Sequence, residues 1–271
     1  MKVSHEVPLC FLKESLEWND YQYVLPHLID QYPQYKTHML KYREKPGSFI
    51  ICDNGLFEGV LHTTEDLLSK IELLQPNIFI VPDAWNDSTS TIRSAKHWMI
   101  NYSKKLNEID VNLMAVCQGK TIGELIITYQ TLVDLGYKHI AFNHSSIAYQ
   151  DMFKDKESSL PEDKRILNYQ MFGRMEFIRQ LVQHNIIRDA YYHHLLGCSL
   201  PQEFMAYGDW KFIKSVDTSN PILVGAEGNR YQENGLTYKP KDKLEHYFEK
   251  NLDAQLEDIK FNVERFKSFI K

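Results

Sequence analysis

The chain has 271 residues, 43% of them hydrophobic and 25% charged, which suits one α/β barrel with a large core or two small domains. A formal net charge of −5 excludes a globally basic nucleic-acid-binding surface, though not a local basic groove. No run approaches the roughly 18 apolar residues of a membrane span, and MKVSHEVPLC lacks a signal-peptide core, so a soluble, cytoplasmic protein with no membrane partner is expected.

In chain order, apolar runs predict strands at Lys2–Val7, Ser48–Cys52, Asn77–Val81, Asn112–Val116, His139–Phe142, Tyr191–Leu196, Ile213–Val216 and Ile222–Val224. Amphipathic stretches between them predict helices at Glu65–Leu74, Thr91–Leu106, Ile122–Leu135 and Leu167–His184. In the third of these, Leu125, Ile126, Tyr129, Leu132 and Val133 recur at helical spacing, and Gly136 supplies the stop. Strands apolar throughout and separated mainly by helices imply a parallel sheet covered on both faces. The count and length fit a single closed (β/α)8 TIM barrel over residues 1–271, with an open doubly wound sheet as the alternative. No glycine-rich phosphate loop follows the first strand, which argues against a nucleotide-binding sheet.

Three segments depart from the regular alternation. Residues 8–47, rich in aromatic and charged side chains, predict an extended first β–α connection. Residues 148–165 predict a polar, mobile insertion after the fifth strand, over the barrel mouth. The charged stretch Lys241–Lys271 has a helical pattern and is expected to cover the outside of the barrel. The four cysteines (10, 52, 117 and 198) form no C-x-x-C pair, so Cys52, Cys117 and Cys198 read as small core hydrophobes in a reducing compartment.

The chemistry-bearing residues gather at strand ends. Asp53 opens the Asp-Asn-Gly turn after IIC, Asp83 ends FIVPD, and Asp217 sits in KSVDTSNP. A strand-end aspartate can simply cap the next helix. Three of them on one barrel suggest a site for acid–base or covalent carboxylate chemistry. Gln118-Gly119, Asn143-His144-Ser145 and His194-Leu-Leu-Gly197 occupy the other strand ends. His193 and His194 also fit a structural role at the close of an apolar strand. Trp85 can stack on a base or pack against its neighbours. Lys154, Lys156, Lys164, Arg165, Arg174, Arg179 and Arg188 make residues 150–190 basic, readable as a solvated helix face or a phosphate track, and Arg230 is a second phosphate candidate.

Taken in order, these segments resemble the tRNA-guanine transglycosylase superfamily over most of the chain. IICDNGLFEG is similar to the family's Asp-Ser-Gly-Gly-Phe-Gln segment, and AVCQGKTIGELIITYQTLVDLGYKHIAF to its Gln-Gly segment with the helix and strand that follow. HHLLGCSLPQEF is similar to the His-(Leu/Ile)-Leu-Gly-x-Gly-x-Pro segment, and KSVDTSNP stands where the family has its nucleophile in Phe-Asp-x-x-x-Pro. The family's cysteine-rich zinc segment is missing, since no cysteine follows Cys198, and Asn-Gly-Leu-Phe-Glu replaces Ser-Gly-Gly-Phe-Gln after the aspartate. A short chain without that segment resembles the phage and bacterial branch that inserts 7-deazaguanine bases into DNA.

The resemblance implies a DNA-guanine transglycosylase that needs no cofactor or metal and has DNA and a 7-deazaguanine base of the preQ0 type as partners. Asp217 is then the nucleophile and Asp53 the general acid/base. Asp83 accepts from the purine's N1–H and N2 donors, while Gln118, the Gly119 N–H and Asn143 address O6 and the 7-substituent. His194 and Gly197 complete the binding set. Three other readings remain: a related enzyme acting on RNA, a metal-dependent barrel hydrolase, and a non-catalytic nucleic-acid-binding subunit. The hydrolase is disfavoured because no H-x-H follows the first strand, and the non-catalytic reading because Asp53 and Asp217 are both present.

Overall fold

The computed structural model describes residues 1–155, 159–240 and 242–270. Eight parallel strands form one nearly closed (β/α)8 barrel: β1 (Lys2–His5), β2 (Gln22–Val24), β3 (Ile50–Cys52), β4 (Ile78–Ile80), β5 (Asn112–Cys117), β6 (His139–Phe142), β7 (Tyr192–Leu195) and β8 (Ile213–Thr218). Their hydrogen-bonded order is β1-β8-β7-β6-β5-β4-β3-β2. The short inner runs IIC, IFI and LMAVC are buried along their whole length, as expected when side chains face a filled barrel on one side and helices on the other.

Around the strands run α1 (Ser15–Trp18), α2 (Pro26–Gln31), α3 (Pro33–Arg43), α4 (Thr64–Leu74), α5 (Ser88–Asn107), α6 (Ile122–Asp134), α7 (Ile147–Asp151), α8 (Glu162–Gln183), α9 (Asn220–Ala226) and α10 (Leu256–Phe269). Local chemistry sets several of these starts. Thr63, Asp87 and Thr121 accept from the backbone N–H three residues on, at 3.1, 3.0 and 3.1 Å, opening α4, α5 and α6. Gly136, at φ +97°, provides the left-handed residue that ends α6 and turns the chain into β6.

The two ends of that strand order, β1 and β2, meet without a backbone ladder. Asp20 closes the seam instead: its carboxylate accepts from Val3 N at 2.8 Å while its own N–H donates to Val3 O at 2.9 Å. Ser4 Oγ accepts from Tyr23 N at 3.0 Å, and the Tyr21 hydroxyl reaches across to Val216 O at 2.8 Å.

Two expectations are corrected. The segment 8–47 is no plain connection: it carries β2, whose three residues are too few to show a period among aromatic and charged neighbours. Ile222–Val224, expected as the eighth strand, lies inside α9, where Pro221 occupies the first helical turn. The count of eight survived because one missed strand replaced one false one. The segment 148–165 begins as helix, with Ala148 and Tyr149 of α7 buried, and runs into α8. Lys156 lies outside the described residues.

The C-terminal stretch does form a helix, α10, that packs against α9 on the outside of the barrel. A Cβ placed on Gly225 of α9 would lie 2.6 Å from both the Ile259 backbone N and Cα. Gly225→Ala should therefore lower stability, because overpacking costs about 1–3 kcal/mol against the ~1 kcal/mol that alanine's helix propensity returns. Urea midpoints of the two proteins test this, and a midpoint raised by the alanine would show that α10 is free to retreat.

Candidate active site

The strand C-termini converge on a cleft with about 780 Å3 of empty space, part of it open to solvent. Its walls include Glu6 after β1, Tyr23 of β2, Asp53 and Asn54 after β3, Asp83 beyond β4, Gln118 after β5, Asn143 and His144 after β6, Gly197 beyond β7 and Asp217 near the end of β8. Of the sequence-derived candidates, Asp53, Asp83, Gln118, Asn143, Gly197 and Asp217 thus meet in one cavity. Gly119 does not line it; that glycine admits the start of α6, since a Cβ there would lie 2.9 Å from Leu125 N. His194 is fully buried behind the wall.

Asp217 is held from behind. His194 Nε2 lies 2.9 Å from Asp217 Oδ1, and Gly197 N donates to the same oxygen at 3.3 Å. The Tyr192 hydroxyl donates to Ser215 Oγ at 2.8 Å, and Ser215 Oγ lies 2.7 Å from His194 Nδ1. Ser215 and Asp217 thus hold the two nitrogens of the His194 ring from opposite sides. Tyr23 stacks on the His194 ring at 5.9 Å and fixes its plane. No hydrogen bond among the described residues engages Asp217 Oδ2, which leaves this oxygen for chemistry.

Asp53 sits on a turn built for it. Gly55 N donates to Asp53 Oδ2 at 3.2 Å and Leu56 N to Asn54 Oδ1 at 2.9 Å, with Gly55 at φ +80°. Burial pushes the Asp53 carboxyl above its usual range, as does the Asp217 charge, while the Tyr23 hydroxyl and the Asn54 and Gly55 amides pull it down. Burial, the backbone and nearby charges act on two further carboxyls that the sequence did not single out. Burial raises Glu58 to about 8, and burial with the Asp217, Glu58 and Asp53 charges raises Glu6 well above the ordinary range.

The third side of the cleft is an amide–carboxylate array. Asp83 accepts from Asn54 Nδ2 at 2.8 Å and from Gln118 Nε2 at 2.7 Å. Asn143 Nδ2 then donates to Gln118 Oε1 at 2.9 Å, and its own Oδ1 is buried without a protein partner. Such an array holds fixed acceptors toward a flat, donor-rich ligand edge. At the rim, exposed Phe57 and Trp85 stack at 5.9 Å, and Lys239 Nζ lies 3.4 Å from His144 Nε2. Burial and the nearby Lys239 and Arg174 charges hold His144 well below the usual imidazole range.

Several candidates have other work. Arg174 is completely buried, bonding Glu203 at 2.6 and 2.9 Å, and so is no part of a phosphate track. Arg179 pairs with Glu176, and Arg230 pairs with Asp258 at 2.5 Å and stacks on Phe261. His193 is packed parallel to Phe142 and lies 2.9 Å from the Tyr129 hydroxyl, a structural role. Cys52, Cys117 and Cys198 are buried. Among the described residues, no group of three or more His, Cys, Asp or Glu is placed to hold a metal, and no helix is long and apolar enough to cross a membrane. A scan against protein-family models and a search of curated proteins give no match.

Burial raises Asp83 to about 6, against the pull of the Gln118 and Asn54 amides. A carboxyl raised in the fold favours the protonated state there, so its contribution is present at low pH and lost as pH rises through about 6. Relative to Asp83→Asn, the wild type should lose stability between about pH 4 and pH 6 and run parallel above that. Urea midpoints across this range test it, and a constant difference between the two proteins would rule out the shift.

Proposed function

We propose that the protein is a DNA-guanine transglycosylase that exchanges guanine for a 7-deazaguanine base through a covalent Asp217–sugar intermediate. The observation that carries this reading is the pairing of two unlike carboxyls in one cleft. Asp217 is oriented through one oxygen by His194 and Gly197, while burial and that neighbouring charge favour a proton on Asp53. Exchange at one sugar carbon needs both functions: a nucleophile that stays ionised and an acid that becomes a base.

In the first half-reaction Asp217 Oδ2 attacks the anomeric carbon, the bond to guanine breaks, and Asp53 gives its proton to the departing base. In the second, Asp53 takes a proton from the incoming 7-deazaguanine, whose ring nitrogen attacks the same carbon and releases the Asp217 carboxylate. Two displacements retain the configuration at the sugar. The Asp83–Gln118–Asn143 array suits the purine edge, with Asp83 accepting from N1–H and N2 and the second Gln118 Nε2 proton addressing O6, while Asn143, whose amide protons go to Gln118 and Ser145, holds Gln118 in place. A nucleotide must leave the base stack to reach such a cleft. The choice of DNA over RNA rests on the resemblance to the branch without the cysteine-rich segment.

Asp217→Asn should abolish incorporation of labelled 7-deazaguanine into a guanine-containing DNA oligonucleotide, because an amide cannot form the glycosyl ester. Asp53→Asn removes proton transfer, typically worth about 10²–10⁴-fold, and should leave slow covalent capture detectable by mass spectrometry. An RNA oligonucleotide run in parallel should stay unlabelled. Near-normal turnover by Asp217→Asn would reject the covalent mechanism, and labelling confined to RNA would reassign the polymer.

A further inference from the structure

A bound purine presents its functional groups in a fixed order around its perimeter, and so does the barrel rim. Strands β4, β5 and β6 are successive neighbours in the sheet. With N1–H and N2 on Asp83 beyond β4, and O6 on Gln118 after β5, the base turns its 7-position toward the end of β6. Further round in the same sense, its glycosidic nitrogen comes to Asp217 of β8. The end of β6 offers Asn143, whose amide protons go to Gln118 and Ser145, and then His144.

His144 does not stand alone there. Lys239, from the segment after α9, brings its Nζ to 3.4 Å from His144 Nε2, and both side chains line the cleft with part of their surface exposed. The imidazole is wedged in place: Phe57 meets it edge-on at 5.7 Å, and a Cβ on Gly197 would lie 2.6 Å from its Nδ1. Among the described residues, Lys239 makes no ion pair. Burial pulls its ammonium below the usual lysine range, and the Arg174 charge acts the same way. An uncompensated, partly buried cation is costly, and a ligand that brings acceptor atoms to it offsets that cost.

The distribution of charge around the cleft points the same way. Its acids, Glu6, Asp53, Glu58, Asp83 and Asp217, come from β8 and from the turns after β1, β3 and β4. The cleft residues supplied by the ends of β5, β6 and β7 include no acid. We infer that Lys239 and His144 form the subsite for the 7-substituent of the incoming base. This subsite selects a hydrogen-bond-accepting substituent, a carboxylate most of all, over a cationic one such as an aminomethyl group. The inference rests on the base-exchange reading and adds to it the charge of the substituent as the property by which one 7-deazaguanine is chosen over another.

Equilibrium dialysis of the whole protein, without DNA, tests the subsite with three free bases: 7-carboxy-7-deazaguanine, 7-aminomethyl-7-deazaguanine and unsubstituted 7-deazaguanine. The carboxy base should bind roughly tenfold tighter than the aminomethyl base, the equivalent of about 1.4 kcal/mol, with the unsubstituted base between them. Lys239→Met, which keeps the reach of the side chain and removes its charge, should bring the two within about threefold of each other. Lys239→Arg should keep the preference, with circular dichroism confirming that both variants fold. A wild type that does not favour the carboxy base, or a preference that survives Lys239→Met, would overturn the subsite and leave base exchange standing. A lysine that serves the polymer's phosphates instead would give the second of these results, together with weaker binding of a DNA oligonucleotide by Lys239→Met. Failure of all three bases to bind would count against base exchange itself and take the subsite with it.

Discussion

The near-closure of an all-parallel sheet is the constraint on which everything else in this molecule depends. Parallel strands that return through helices must all end on the same rim, and closing the sheet draws those ends around one axis. Glu6, Asp53, Asp83 and Asp217 are scattered over more than two hundred residues of chain, yet they line one cleft. The seam where β1 meets β2 has no backbone ladder, and the Asp20 and Ser4 side chains hold it. A small set of local bonds therefore keeps the β1 end, with Glu6, facing the rest of the rim.

Crowding carboxyls at that rim has an electrostatic consequence. Each loses hydration and feels the charge of the others, so neutral forms become favoured at Asp53, Glu6 and Glu58. Among the described residues, no lysine or arginine forms an ion pair with any of these acids. The protein differentiates the acids by their hydrogen bonds instead. Asp217 receives an imidazole and a backbone N–H, Asp83 receives two side-chain amides, and Asp53 receives the N–H groups of its own turn. Chemically identical side chains thereby acquire different environments within one cavity.

The scaffold behind the rim is equally specific. Arg174 reaches from α8 to the ends of β6 and β7 and donates to Leu196 O at 2.9 Å and Gly197 O at 3.1 Å. Glu203 neutralises it from the far side, joined by the Tyr207 hydroxyl at 2.5 Å. A buried ion pair of this kind contributes little net stability, but removing one partner is costly. Here it fixes the carbonyls next to the Gly197 amide, and so the position of the donor that orients Asp217.

The sequence by itself determined the fold class, because strand runs such as IIC and LMAVC are apolar throughout and the helices between them show a 3.6-residue period. It also determined that Asp53, Asp83, Gln118, Asn143, Gly197 and Asp217 stand at strand ends, since turn chemistry such as Asp-Asn-Gly is local. It could not show β2, which is three residues long, or tell the Ile222–Val224 helix from a strand, because so short an apolar run carries no period. Only the tertiary structure decided that Glu6 and Glu58 join the acidic rim, that His194 works from behind Asp217, and that Arg174 is internal. Those facts depend on which groups meet across the barrel and how much water is excluded between them, and neither is encoded in any single stretch of chain.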